Sequence, residues 1–519
     1  MARTLTNNFS LAYAIESTVA VLPGSPEWRL LEPNTINAFG ANISTVARTP
    51  ISKNRQRSKG TITDLDAAVE FESDLTMNAA LDFLEGFAFS TAVNDDTSFE
   101  GAAAVATTDD YTVPALVAAN AAKIQFTSAN ITSLLYARGY TNAANNGLKT
   151  VLVQPVATDT TLQVAETLVT ETAPTNAIVE VCGVRVLATS DLTITRVTGP
   201  PDTATIVSAA SVDWTTLGLT VGQFVHVGGT AAVNQPDDLV GYGRIITITA
   251  TTLTLDKLNG TIETGSSPEN PAKVIDILFG RFIRNETVDA TGFLERTFQF
   301  EGTYPNLFET TPATPVAEPD GHEYTLGAHC NQLSFNLPLT DKATLSYGFV
   351  GTDAEAPVDG GSRKTNADTP IEPLQVEAIN TTSDIARLRV TEADETGLTT
   401  DFKSMTITLN NNVSPEKVLG TLGAAFVNTG TFEVSMETQV LFSSAEVIAA
   451  IRANTTVTMD FLLANNDGGI YVDIPSMTIG GGNREFPVNE TILASLTGEA
   501  FADPTFNTSL GLSLFPITP

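Results

Sequence analysis

Between residues 66 and 72 apolar and polar side chains alternate, with Ala67, Val69 and Phe71 on one side and Asp66, Glu70 and Glu72 on or beside the other. A period of two with one wet face predicts a strand that buries only one side. Asp74 or Thr76 is suited to accept from the first free amides of a helix. Beyond them Ala80, Phe83, Leu84 and Phe87 recur at three-to-four spacing and predict an amphipathic helix. The same order returns near the C-terminus. Phe432, Val434, Met436, Val440 and Phe442 alternate with Glu433, Ser435, Glu437 and Gln439. The run leads into a second helical pattern, with Ser443 and Glu446 spaced as a capping box and Val447, Ile448 and Ile451 as its buried stripe.

Other segments fill in around these two units. Strands are expected at 122–126 and 150–153, with an Asn-Asn-Gly turn between them. Short runs at 192–197, 222–229, 243–250 and 252–258, separated by Gly, Pro and Asn, predict a small barrel over 191–258. In the stretch after it, Leu294, Phe298 and Phe300 face one way, and Glu295, Thr297, Gln299 and Glu301 the other. Strands follow at 331–339 and 343–351, and Met405, Ile407 and Leu409 mark another with its apolar side inward. Ser414 and Pro415 suit the cap and first position of a helix over 414–426. Residues 456–479 read as a hairpin turning at Asn-Asp-Gly-Gly. Residues 1–27 read as an extended arm, and the Pro, Gly and Asp content of 353–373 suggests a linker.

Charge sharpens this picture. The chain carries 27 basic and 59 acidic side chains, a formal net charge of -32. A protein this acidic repels polyanions, which argues against sequence-reading of DNA through neutralised phosphates. Yet Arg48, Lys53, Arg55, Arg57 and Lys59 cluster in one loop just before the first strand-helix unit. The loop lacks the interleaved aromatics of a nucleic-acid site, so docking onto an acidic neighbour suits it better.

A basic loop, a strand with one acidic face and a helix behind it, in that order, resembles the tail tube (major tail) proteins of long-tailed, siphovirus-type bacteriophages. The likeness is strongest across 25–90 and 400–500. It implies stacked rings forming a hollow tube, with the polar strand face lining a channel and the loop docking onto a neighbouring subunit. The partners it implies are other copies of the chain, a tape-measure protein, tail terminator and distal tail proteins, and genomic double-stranded DNA passing without sequence recognition. The location implied is the virion tail, assembled in the bacterial host cytoplasm. The run at 217–225 also resembles small SH3-like barrels, including inserts in some tail tube proteins.

The expected fold is therefore mainly β with a few short helices: two tail-tube β-sandwich or barrel modules and a small SH3-like barrel insert. The expected division is an arm at 1–27, a first module at 28–190 plus 259–352 split by the insert at 191–258, a linker at 353–373, and a second module at 374–519. Two modules per chain make a ring of three with pseudo-sixfold symmetry, whereas one module makes a ring of six. Glu70, Glu72, Glu295, Glu433 and Glu437 are the lumen-facing candidates, against the plainer alternative that they lie on the outer surface.

Catalytic chemistry finds little support. His226, His322 and His329 pair with no nucleophile motif, and His329 and Cys330 point to opposite faces if they lie in a strand. The Gly-rich run at 480–483 lacks the strand-to-helix context of a phosphate loop. Two cysteines, Cys182 and Cys330, are too few for a disulfide framework and are expected reduced and buried. No catalytic residue, cofactor or metal is expected, and no run of eighteen apolar residues suggests a membrane helix. A multidomain β-rich bacterial surface adhesin or S-layer-like protein is the competing reading, and an enzyme on a β scaffold the more distant one.

Overall fold

In the computed structural model the chain is mainly β, with antiparallel ladders throughout and three short α-helices among the described residues. The structure describes all residues except 1–5, 52, 54–55, 78–80, 102–103, 106–107, 129, 188–191, 209–211, 237–238, 263–265, 269–273, 306–319, 359–362, 365–368, 393–396, 400, 444 and 519.

The frame consists of one set of elements used twice. The first set is β1 (Ser10–Ile15), β2 (Arg29–Leu31), β3 (Pro33–Ala47), β4 (Gly60–Asp74), α1 (Leu81–Ala88), β5 (Thr297–Tyr304), β6 (Gly321–Leu337) and β7 (Thr344–Gly351). The second is β8 (Ile385–Glu392), β9 (Gly397–Thr399), β10 (Phe402–Asn410), β11 (Glu433–Leu441), α2 (Glu446–Ala453), β12 (Thr456–Asn465), β13 (Gly468–Glu485) and β14 (Leu493–Ala500). In the first set β2 pairs β1, β1 pairs β5, β5 pairs β6, β6 pairs β7, β7 pairs β4 and β4 pairs β3. The second set repeats each step: β9 to β8, β8 to β12, β12 to β13, β13 to β14, β14 to β11 and β11 to β10. The two sets meet where β6 pairs β10.

The alternation read from the sequence orients these strands. Ala67, Val69 and Phe71 are buried in β4, as are Val434, Met436 and Val440 in β11, and both rows enter one core cluster. Helix α1 closes the first core: the Phe83 ring lies 4.5 Å from Tyr13, 5.0 Å from Phe298 and 5.1 Å from Phe349. Gly86 permits this approach, since a Cβ there would sit 2.7 Å from Cys330 Sγ. In α2, Val447 and Ala450 are buried. Cys182 and Cys330 are free and buried, as expected.

The chain leaves the frame after α1 and returns at β5. Between them a twelve-stranded open sheet forms around a second core that includes Trp214 and Tyr111. The expected strands near 192–197, 224–227, 239–248 and 252–262 all form within it. They do not close on themselves, because Ile275–Leu278 takes the free edge of Phe224–Val227 and passes the sheet on to Ile178–Val186. A buried ionic cluster bolts this body to the second set. Arg244 reaches Asp256 at 2.6 Å and Asp473 at 2.9 Å, while Lys257 reaches Asp473 at 2.5 Å. Phe224 stacks on Tyr471 beside it, with ring centroids 3.6 Å apart.

Several local expectations fail. Residues 414–426 form no helix: Ser414–Glu416 pairs Phe426–Asn428 in a small hairpin. Gly420 and Gly423 hold positive φ there, and Leu419 is fully exposed, so no apolar face is buried to support a helix. Ser443 is not the cap residue of α2, which starts after Ala445. The strand expected at 122–126 is replaced by a helix over Ala118–Lys123 and a two-residue strand, Phe126–Thr127. The stretch around 294–301 is wet only at its start, at Leu294 and Glu295, and has no wet face from Thr297 on. β5 begins at Thr297 and is buried on both sides, with Glu16 bonding the Thr297 hydroxyl and Arg363 the Glu301 carboxylate. Finally, Ser10–Ile15 is an interior strand, and Asp353–Val358 continues the β7 edge of β6.

Removing one member of a buried ion pair leaves an uncompensated charge. Asp473→Ala is therefore expected to lower stability by about 3–5 kcal/mol and to expose the 89–296 body to limited proteolysis. Chemical denaturation and protease mapping check both.

Candidate functional site

Eight strands of the frame form one continuous path, β3, β4, β7, β6, β10, β11, β14 and β13. Because side chains alternate across a strand, following the pairings from strand to strand gives rows that belong to one face. One row crosses all eight strands as Thr35, Glu72, Ser346, Ser334, Thr408, Ser435, Glu499 and Thr478. Every member is polar. A second runs Ala38, Glu70, Gly348, Gln332, Asn410 and Glu433. A third runs Asp74, Thr344, Asn336, Thr406, Glu437, Thr497 and Gly480. On the opposite face the corresponding row is Phe71, Tyr347, Leu333, Leu409 and Val434, all buried. One side of this sheet belongs to the core; the other is a broad polar surface.

Four of the five acidic candidates lie on that surface. Glu70, Glu433 and Glu437 are exposed and Glu72 is half-buried. Glu295 does not join them. It precedes β5, with Oε1 3.5 Å from His329 Nε2. The surface also carries Asp66, which pairs with Asn42 in the β3–β4 ladder just as Glu433 pairs with Asn410 in the β10–β11 ladder. Glu499 was missed by sequence reading. In Ala494-Ser-Leu-Thr-Gly-Glu499 the inward positions include Ala494 and Gly498, too small to register as an apolar alternation.

The path has two ends. β3 pairs only β4, and the last part of β13, from Ile479 to Glu485, pairs only β14. Among the described residues, neither of these two edges carries a further strand. Beside the β3 end stands the basic loop. Arg48, Lys53, Arg57 and Lys59 are exposed, while Arg55 lies outside the described residues. The corresponding loop of the second set, between β10 and β11, reaches back over the first set. Its Lys417 Nζ lies 2.5 Å from both Asp64 and Asp66 on β4. The hydrogen bond from Lys417 holds the Asp64 carboxyl below its ordinary range, and the pairing raises the Lys417 ammonium.

Among the described residues there is no group of three or more His, Cys, Asp or Glu side chains able to hold a metal, and no helix is long and apolar enough to cross a membrane.

The model of one protein family, described as phage tail tube protein, matches residues 6–500. No curated protein matches the chain. With the match covering nearly its whole length, the chain belongs to the phage tail tube protein family.

The two faces of β4 predict opposite mutational outcomes. Phe71→Ala, in the core, is expected to cost about 3–5 kcal/mol, whereas Glu70→Gln and Glu437→Gln leave the denaturation midpoint unchanged. Urea titration of the three variants measures the contrast.

Proposed function

We propose that this tail tube protein polymerises into stacked rings around an open bore, and that the polar face of the eight-strand path lines that bore. The observation that carries the reading is the unbroken polar row across two repeats, flanked by unpaired edges. An open sheet with two free edges is a template for strand addition, and closing it through copies of itself removes those edges. Glu70, Glu72, Glu433 and Glu437 then make the bore anionic, so that double-stranded DNA slides past without binding. Its role is structural rather than catalytic.

Ring size follows from the repeat. Each chain supplies two four-strand units of the same topology, so three chains make a pseudo-sixfold ring. With neighbouring strands about 4.8 Å apart and tilted by about 40°, eight strands from each of three chains enclose roughly 45–50 Å between opposite backbones. That clears a duplex once side chains are allowed for.

In this reading the chain divides into two tube modules, built from the two frame sets, with the whole of 89–296 as an outward insert in the first. The basic loop at 48–59 is an inter-subunit clamp. Within one chain Lys417 of the second module binds Asp64 and Asp66 of the first. By analogy, the loop whose sequence carries Arg48, Lys53, Arg55, Arg57 and Lys59 is the one proposed to dock near Glu433 on the second module of a neighbour. During assembly the bore holds a tape-measure protein, and the tube ends against tail terminator and distal tail proteins. The virion tail is the site of action, after assembly in the bacterial cytoplasm.

Negative-stain microscopy and native mass spectrometry of the purified protein are expected to give hollow rings or tubes with three chains per ring. Rings of six, or monomers at all concentrations, overturn this arrangement. Reversing Arg55 and Arg57 to Glu should leave a folded monomer that no longer polymerises, and in the wild type assembly through exposed charges should weaken as salt rises. Normal tubes from the reversed variant remove the clamp role.

A further inference from the structure

The chain already contains one joint between modules, and it specifies the joint between chains. Within the chain β6 pairs β10 as Leu333 with Leu409, Phe335 with Ile407, Asn336 with Thr406 and Leu337 with Met405. β10 is the counterpart of β3, and β6 is the counterpart of β13. The second copy of this joint is therefore missing one partner at each end of the chain: β13 lacks a β3, and β3 lacks a β13.

The hairpins align the two modules residue by residue. In the first, Asn336 pairs Thr344 around residues 337–343; in the second, Glu485 pairs Leu493 around residues 486–492, a loop of equal length. Burial agrees, since Leu345 and Tyr347 point inward in β7 as Ala494 and Leu496 do in β14. Carried across β7 to β4 and across β14 to β11, this alignment makes Glu70 the counterpart of Glu437 and Asp66 that of Glu433. Carried one strand further, Ala38 matches Thr406, Ile36 matches Met405 and Asn42 matches Asn410.

We infer that the end of β13 pairs antiparallel with β3 of a second copy of this chain, with Glu485 opposite Ala38 and Phe486 opposite Ile36. This rests on the ring reading above and adds its register. Exposure supports it independently. Leu337 is 5% exposed because β10 covers it, whereas its counterpart Phe486 is 70% exposed with that partner absent. Val488 in the same loop is 86% exposed. Large side chains left open at the tip of an unpaired edge are what a missing strand covers. Gly40, Gly481 and Gly482 are all at positive φ, and the β13–β14 ladder shifts register between Gly481 and Asn483, as at a bulge.

Cysteine pairing tests the register. Cα partners across an antiparallel ladder bring their Cβ atoms to about 4.5–5.5 Å, close enough for a disulfide. The native cysteines are buried and stay silent. Glu485→Cys with Ala38→Cys in one chain, oxidised after ring formation, is expected to yield covalent trimers and nothing larger on a non-reducing gel. The control, Glu485→Cys with Asn42→Cys, separates the thiols by about 13 Å along the strand and should stay monomeric on the gel. Rings visible by microscopy that crosslink through the control pair, or through neither pair, overturn the register and leave the ring reading intact. No rings from the wild-type protein overturns both. If the paired variant alone fails to form rings, the same residues are tested as single cysteines, Glu485→Cys mixed with Ala38→Cys. Covalent dimers then support the register, and their absence from rings that do form overturns it.

Discussion

The structure depends on the pairing of β6 with β10, the single ladder through which the two halves of the frame become one sheet. That ladder fixes which side chains share a face. Moving it by one residue would turn every polar side chain of the second half into the core and every apolar one into water. The polar row from Thr35 to Thr478 is continuous only because Ser334 meets Thr408 and not a neighbour. The Ser334 and Thr408 hydroxyls lie 3.0 Å apart, so this contact is satisfied on the wet side while Leu333, Phe335, Ile407 and Leu409 fill the dry one.

Repetition accounts for the economy of the design. A four-strand unit with a helix behind it leaves two free edges, and joining a second copy consumes one edge of each. In the ring proposed above, further copies do the same until the sheet closes; the chain itself carries the finished joint and leaves one edge open at each end of the path. The charge distribution obeys the same logic. In the finished joint a lysine from one module lies on aspartates of the other; elsewhere a run of basic residues stands beside an open edge and Glu433 occupies the position equivalent to Asp66.

The body at 89–296 is attached both by a ladder, Arg281–Arg284 on Gly511–Phe515, which in turn pairs β13, and by charge. Ions sequestered from solvent, Arg244, Lys257, Asp256 and Asp473, tie it to β13, with Phe224 stacked on Tyr471 alongside. Charges paired out of water hold one geometry because any displacement leaves a member uncompensated. This fixes the body against the second module even though the chain enters and leaves it through the first, so the two modules are held together both by a shared ladder and by a strap.

Alternation in the primary sequence determined the outline. Ala67, Val69 and Phe71 against Glu70 and Glu72, and Val434, Met436 and Val440 against Glu433 and Glu437, are local patterns of period two, and they oriented β4 and β11 correctly. The strand-then-helix order, the basic loop and the duplication of the acidic strand were legible for the same reason. Elsewhere the local pattern misled. Glu301 looked wet until Arg363 covered it, and 414–426 looked helical although no neighbouring surface buries its apolar side chains. Which strands adjoin, where the second body begins and ends, and that β3 and the end of β13 remain open are long-range facts. They depend on pairings between residues hundreds of positions apart, and no periodicity within a short window contains them.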